Sequence, residues 1–411
     1  MYSLSNIREA DEMDKFQMKK EVSEHLQKDL IPFWKSLQDQ EYGGYYGLLD
    51  HEYVLDKKAV KGCILNSRIT WFFANAYTLL KDESLLKEAE HGFCFLKNHC
   101  WDKENGGVFW SVEYDGKPAE TLKHTYNQAF AIYALSSYYE ASKDREALQL
   151  AYQLYELIET KMRDENGYKE AFDEKFQEID NEKLSENGVM AQRTMNTFLH
   201  VFEAYTELYR VDHNPEVKEK LIWMLELFAD KIYNPVLKRQ EVFFDNDWNS
   251  ILDLHSYGHD IETSWLLDRG VDVLGEEKYR KLILPITKEL TGKIYEVAFD
   301  GSSLSNECEK GVVNTDRIWW VQAETLIGFL NGYEKSAEEY EKAEKYLNAA
   351  ISVWNYIKKH VIDHRRLYDC GKEWYEVLTE SNVPYIKPMV QPWKCPYHNG
   401  SMCMEVMKRI R

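Results

Sequence analysis

Asp39-Gln-Glu-Tyr-Gly-Gly-Tyr-Tyr-Gly47 returns further along the chain as Asp102-Lys-Glu-Asn-Gly-Gly-Val-Phe-Trp110, and a shorter echo stands at Asp164-Glu-Asn-Gly-Tyr168. The three aspartates lie 63 and 62 positions apart. Paired glycines supply a turn, and the aromatic residues after them suit a short strand. A turn recurring at one fixed interval marks a repeated supersecondary unit.

Between the copies, apolar residues recur at helical spacing. The pattern predicts twelve helices, at roughly 20–38, 66–81, 83–99, 125–142, 144–162, 189–211, 215–233, 259–275, 277–297, 316–335, 337–361 and 397–409. They fall into close pairs. Lys81-Asp-Glu-Ser84, Ser142-Lys-Asp144 and Asp212-His-Asn-Pro215 are short polar breaks within pairs, and longer glycine-bearing segments separate the pairs.

The two helices of a pair differ. Tyr126-Asn-Gln-Ala-Phe-Ala-Ile-Tyr-Ala-Leu-Ser-Ser-Tyr-Tyr139 is nearly apolar all round, as is a helix buried on every side, whereas its successor from Asp144 has one charged face. Trp71-Phe-Phe-Ala-Asn-Ala-Tyr77 and the stretch Ile318–Leu330 are of the buried kind. Alternation of this sort describes inner helices ringed by outer ones. Six pairs closed into a ring make an all-α (α/α)6 barrel, six helices inside and six outside, with short β-hairpin insertions in the loops. An open solenoid uses the same pairs, and periodicity does not distinguish the two. No linker-like or low-complexity stretch divides the chain, so one domain is expected over 21–411, after an N-terminal extension at 1–20.

Composition narrows the chemistry. The 411 residues are 44% hydrophobic and 14% aromatic, with 12 Trp and 28 Tyr, and flat rings are what the C–H face of a sugar docks against. A net charge of −19 argues against nucleic acid and against an anionic membrane surface. No apolar run reaches transmembrane length, and the start has no signal-peptide pattern. Seven scattered cysteines fit a reduced, cytoplasmic protein better than a disulfide framework.

Unusual polar residues stand where the buried helices begin. The starts carry Asn66-Ser-Arg68, Lys123-His-Thr-Tyr126, Asn196 with His200, His255-Ser-Tyr-Gly-His-Asp-Ile-Glu262, Asp316-Arg-Ile-Trp-Trp320 and Cys395-Pro-Tyr-His-Asn-Gly400. In a barrel of antiparallel pairs all inner helices run the same way. Their starts then converge on one rim, bringing Arg68, Tyr126, His259, Trp320 and His398 around one pocket. A lone histidine at a helix start is more often a structural or capping residue; several at one rim change that balance. Helix starts also aim free N–H groups inward, which favours oxygen ligands and developing negative charge. Two metal readings are weak: Gly258 interrupts the His255/His259 pair, and Cys395, His398 and Cys403 lack the usual partners, so no metal is expected.

Four motifs carry a family resemblance: Met195-Asn-Thr-Phe-Leu-His200, Ser256-Tyr-Gly-His-Asp-Ile-Glu262, Arg317-Ile-Trp-Trp-Val-Gln-Ala-Glu324 and Trp393-Lys-Cys-Pro-Tyr-His-Asn-Gly400. Together they resemble the cellobiose 2-epimerases of the N-acylglucosamine 2-epimerase superfamily, from about Glu21 to the C-terminus. The resemblance implies an (α/α)6 barrel and a cofactor-free epimerase acting on a β-1,4-linked disaccharide. It implies that His259 and His398 are the general acid/base pair. Arg68, Asn196, His200, Glu262 and Glu324 would hold the sugar or its intermediate, with Tyr126, Trp265, Trp320 and Trp393 as further contacts.

The chemistry suits these residue types. C2–H is acidic only once the ring opens to an aldehyde, and its loss leaves an enediolate. Imidazole gives or takes a proton near neutral pH, and Arg68 with the helix starts suits charge on oxygen. Glu262, one turn from His259, is placed to orient that ring. Trp393, before the last helix, could stack on the distal sugar. A monomer is expected. The alternatives are a mannose-type aldose–ketose isomerase, a glycoside hydrolase on the same barrel, which would need paired carboxylic acids, and a helical-repeat binding scaffold without an enclosed histidine pocket.

Overall fold

A computed structural model describes residues 4–184, 186–365 and 369–411. The chain opens with an outer helix, α1 (Leu4–His25), which continues through a π turn into α2 (Ile31–Ser36). Inner and outer helices then alternate: α3 (Cys63–Leu80) inner, α4 (Glu83–Phe95) outer, α5 (Thr125–Ser142) inner, α6 (Arg145–Lys161) outer, α7 (Met195–Asp212) inner, α8 (Pro215–Leu227) outer, α9 (Tyr257–Leu274) inner, α10 (Glu277–Val297) outer, α11 (Trp319–Lys335) inner, α12 (Tyr340–Tyr356) outer, and α13 (His398–Arg409) inner. Counting α1 with α2 as one, the described residues form six outer and six inner helices. Each inner helix packs on the next, and α13 packs back on α3. The ring is therefore closed, an (α/α)6 barrel rather than an open solenoid. At the closure a Cβ on Gly400 would lie 2.5 Å from the Phe72 ring, so only glycine lets α13 approach α3 this closely.

The chain changes layer by one device used four times. An inner helix ends on a left-handed residue, namely Lys81, Lys143, His213 or Gly275. The residue after it starts the outer helix, and Asp82, Asp144 and Asn214 do so with a side chain that accepts a backbone N–H. Those are the short polar breaks of the sequence. Burial follows the layers: every residue from Thr125 to Tyr138 of α5 is buried, whereas α6 buries one stripe.

The repeated Asp–Gly–Gly segments close the other end of each unit. Asp39, Asp102 and Asp164 each accept two backbone N–H groups of their own turn. Each also receives a cation from two residues before the next inner helix: Lys61 to Asp39 at 2.6 Å, Lys123 to Asp102 at 2.9 Å, and Arg193 to Asp164 at 2.7 Å. Arg317 reaches Asp300 in the same way, at 2.7 Å. Short strands then link one unit to the next along the rim: Lys61–Gly62 pairs Ser111–Val112, Lys123–His124 pairs Ala171–Phe172, and Arg193–Thr194 pairs Phe243–Phe244.

Two boundaries differ from expectation. The first helix begins at Leu4 and runs unbroken across position 20, burying Met18 and Val22. The helix expected at 189 begins at Met195, because Arg193–Thr194 is drawn out as a strand and Thr194 caps the helix through Thr197 N–H.

Candidate active site

Because inner helices α3, α5, α7, α9 and α11 start level with one another, equivalent positions fall into tiers. The sixth residues are Arg68, Phe130, His200, Glu262 and Glu324; the ninth are Trp71, Tyr133, Glu203, Trp265 and Ile327. Above them a cavity of about 340 Å³ opens at the rim. Arg68, Tyr126, Asn196, His200, His259, Glu262, Trp320, Trp393 and His398 all line it. Trp265 and Glu324 do not. Trp265 donates to Glu324 at 2.8 Å, and Glu324 in turn meets His398 Nδ1 at 2.7 Å, so both stand behind the cavity wall.

Three imidazoles share one arrangement. Nδ1 of His259 meets Ser256 Oγ at 2.7 Å, Nδ1 of His398 meets Glu324, and Nδ1 of His200 meets Glu203 at 2.9 Å. Each ring is thus fixed at one nitrogen, leaving Nε2 for the cavity. His259 and His398 both lie against the Trp320 ring, with centroids at 4.8 and 5.4 Å. Burial holds His259 down at about 3, His200 adding to the effect, and burial followed by the Arg68 charge holds His398 well below the usual histidine range. The rings are neutral bases at pH 7.

The carboxyl groups shift the opposite way. Burial, then the neighbouring Glu324, raises Glu262 well above the usual carboxyl range, and burial raises Glu324 as well. Glu262 does not orient His259. It points across the barrel, 3.9 Å from His398 Nδ1, while Ser256 takes the His259 ring. One turn of separation put Glu262 and His259 on one face, but the two side chains diverge. Among the described residues Glu262, Glu324 and His398 form the one group with metal-capable atoms within 4.8 Å of one another. Both Glu324 oxygens in that group are already engaged by Trp265 and His398. Of the sequence's two metal candidates, the His255/His259 pair has His255 Nε2 engaged by Asp260 at 2.8 Å, and the Cys395/His398/Cys403 set has His398 Nδ1 engaged by Glu324.

Arg68 is a buried cation with no carboxylate in hydrogen-bond contact among the described residues. Its guanidinium donates to Tyr126 OH at 2.7 Å and to Cys395 Sγ at 3.7 Å, and lies 4.0 Å over the Phe130 ring. Arg68 Nε, Asn196 Oδ1 and Glu262 Oε1 are buried polar atoms with no hydrogen-bond partner among the described residues. Three unmatched atoms around one cavity are what a polyhydroxylated ligand would satisfy. Sequence reasoning missed Ser256, Glu203 and Tyr397. Both ring-holding residues lie three positions from their histidine, the same spacing that had been applied to Glu262.

Known proteins resemble this chain in sequence and in fold. The family model described as N-acylglucosamine 2-epimerase matches residues 43–400. A cellobiose 2-epimerase of Ruminococcus albus is 50% identical over 95% of this chain and 98% of its own. The crystal structure of a sugar epimerase from a ruminal bacterium superposes with a TM-score of 0.92 at 49% identity, covering 95% of this chain and 99% of the other. A D-mannose isomerase structure is more distant, with a TM-score of 0.80 at 22% identity over 95% and 97% of the two chains, and shares the fold. By sequence over nearly its whole length, and by a barrel that superposes on that of a sugar epimerase, this chain belongs to the N-acylglucosamine 2-epimerase family.

Proposed function

We propose that the chain inverts C2 of the reducing-end glucose of a β-1,4-linked disaccharide, turning cellobiose into glucosyl-mannose and back. The observation that carries this is the set of neutral imidazoles at one cavity, each tied at Nδ1 and open at Nε2. A sugar 2-epimerase must open the ring, remove the C2 proton, and return a proton to the other face. His259 and His398 supply the two faces, and the Arg68 guanidinium stabilises the oxygen charge of the cis-enediolate between them. The substrate aldehyde is the electron sink, so these steps can be written with side chains alone. Glu324 acts through His398, and Trp265 steadies Glu324. Trp393, half-buried and 5.7 Å from the Trp110 ring, offers a face for the distal sugar. We read the barrel, whose first outer helix begins at Leu4, as a monomeric cytoplasmic enzyme; its cysteines are all free thiols.

Incubation with cellobiose in deuterium oxide, followed by NMR, tests this reading. The expected product is the C2 epimer carrying deuterium at C2. A ketose as the main product would favour the aldose–ketose isomerase, and free glucose would favour a hydrolase.

A further inference from the structure

One buried carboxylate behind the cavity wall has no part in the chemistry so far. Glu203 sits on α7 one turn below His200, only 3% exposed, and lines no part of the cavity itself. Its Oε2 meets His200 Nδ1 at 2.9 Å, and both its oxygens lie 2.7 Å from the Tyr397 hydroxyl. Tyr397 immediately precedes His398, and the two rings touch at a centroid distance of 4.5 Å. Glu203 therefore ties the helix that carries His200 to the start of the helix that carries His398.

Proton bookkeeping gives this contact a direction. Burial, then the charge of Glu203, pushes the Tyr397 phenol well above its ordinary range, so Tyr397 keeps its proton and donates it. The Glu203 oxygens accept from that hydroxyl, and Oε2 faces His200 Nδ1 as an acceptor as well. The hydrogen bond to His200 then requires the proton on Nδ1. His200 is itself held neutral by burial. Its Nε2 accordingly carries a lone pair toward the cavity, flanked by the Tyr126 and Phe130 rings at 5.1 and 4.8 Å.

We propose that Glu203 is a positioning residue that fixes this form of His200, and that His200 so held moves the proton of ring opening. The inference rests on the epimerase reading above. The O1–H proton passes to His200 Nε2, and the O1–H electron pair becomes the second bond of C1=O1. The C1–O5 bond breaks with its pair on O5, and O5 takes the proton back from Nε2. His200 ends neutral, and His259 and His398 remain free for C2.

The test uses the full chain, cellobiose, and cellobiose deuterated at C2 of the reducing end. Glu203→Gln keeps the shape but removes the carboxylate. It should lower kcat/KM by about 10²-fold or more, the loss expected when a general base is disabled. The C2 isotope effect should meanwhile fall to unity, because ring opening has become the slow step. A clear isotope effect in Glu203→Gln, or an unchanged rate, overturns the proposal. ¹⁵N shifts of His200 in the wild-type protein provide a readout independent of that variant's folding. A proton on Nδ1 is expected, and a proton on Nε2 overturns the assignment. A wild-type chain that leaves cellobiose unchanged overturns the epimerase reading and this proposal with it, whereas an active wild type failing either test overturns this one alone.

Discussion

At the scale of single residues, the site depends on keeping histidines uncharged. A histidine whose pKa is lowered stays a base at pH values where a free imidazole is already protonated. With His259 held at about 3 and His398 displaced the same way, the acid limb of kcat/KM should lie below 6.5. The rate should change by less than about two-fold as pH falls from 7.5 to 5.5, the span over which an unperturbed imidazole near 6.5 would lose most of its base form. A pH–rate profile checks this, and an acid limb at 6.5 or above would contradict it. Much of this scale was legible in the sequence, because histidine, arginine and tryptophan at the starts of otherwise apolar helices are conspicuous. Their order in depth was not. Glu324 and Trp265 share the inward face with the cavity residues, yet the His398 ring and its hydrogen bonds leave both behind the wall. Glu203 was invisible for a different reason, since a lone carboxylate in a helix reads by default as a solvated group.

At the scale of elements, the buried lysine–aspartate pairs hold each turn to the helix that follows. Lys123 is fully buried against Asp102, whose own carboxyl burial would raise but the Lys123 hydrogen bond and two turn N–H groups bring down to about 2. Lys123→Met would leave that carboxylate buried without its cation, at a cost of about 3–5 kcal/mol. Asp102→Asn together with Lys123→Met should recover part of the loss, and thermal unfolding of the two variants checks it. The sign with pH is fixed as well. The pKa of Asp102 is depressed, so the stability it contributes is present above its ordinary value near 3.8. That stability disappears as pH falls through about 2. The Asp–Gly–Gly repeat exposed these turns in the sequence, but not the cations that reach them. Lys61, Lys123, Arg193 and Arg317 each stand two residues ahead of an inner helix, in stretches otherwise read as loop or as the first turn of a helix.

At the scale of the whole molecule, the paired helices were readable from periodicity, but their closure was not. Closure rests on long-range contacts of the first elements with the last, α3 and α1 against α13, and no local pattern encodes it. The same closure sets the first helix beside the end of the last one. Lys19 of α1 donates to the carbonyl of Ile410 at 2.6 Å, and α1 packs along α13. A ring of like units has no natural first member, so where the polypeptide begins should matter little. A circular permutant opened at Lys143, in the turn between α5 and α6, with Arg411 joined to the old N-terminus by a flexible linker of about ten residues, should fold to the same barrel. It should retain epimerisation within about ten-fold, because the cut falls at the ends of the helices away from the catalytic rim, and a ten-fold change is only about 1.4 kcal/mol in the barrier. Loss of folding would mean that the native order of synthesis, rather than the closed ring alone, directs assembly. The order in which the units were strung together would then be one of many equivalent ways of cutting the same circle.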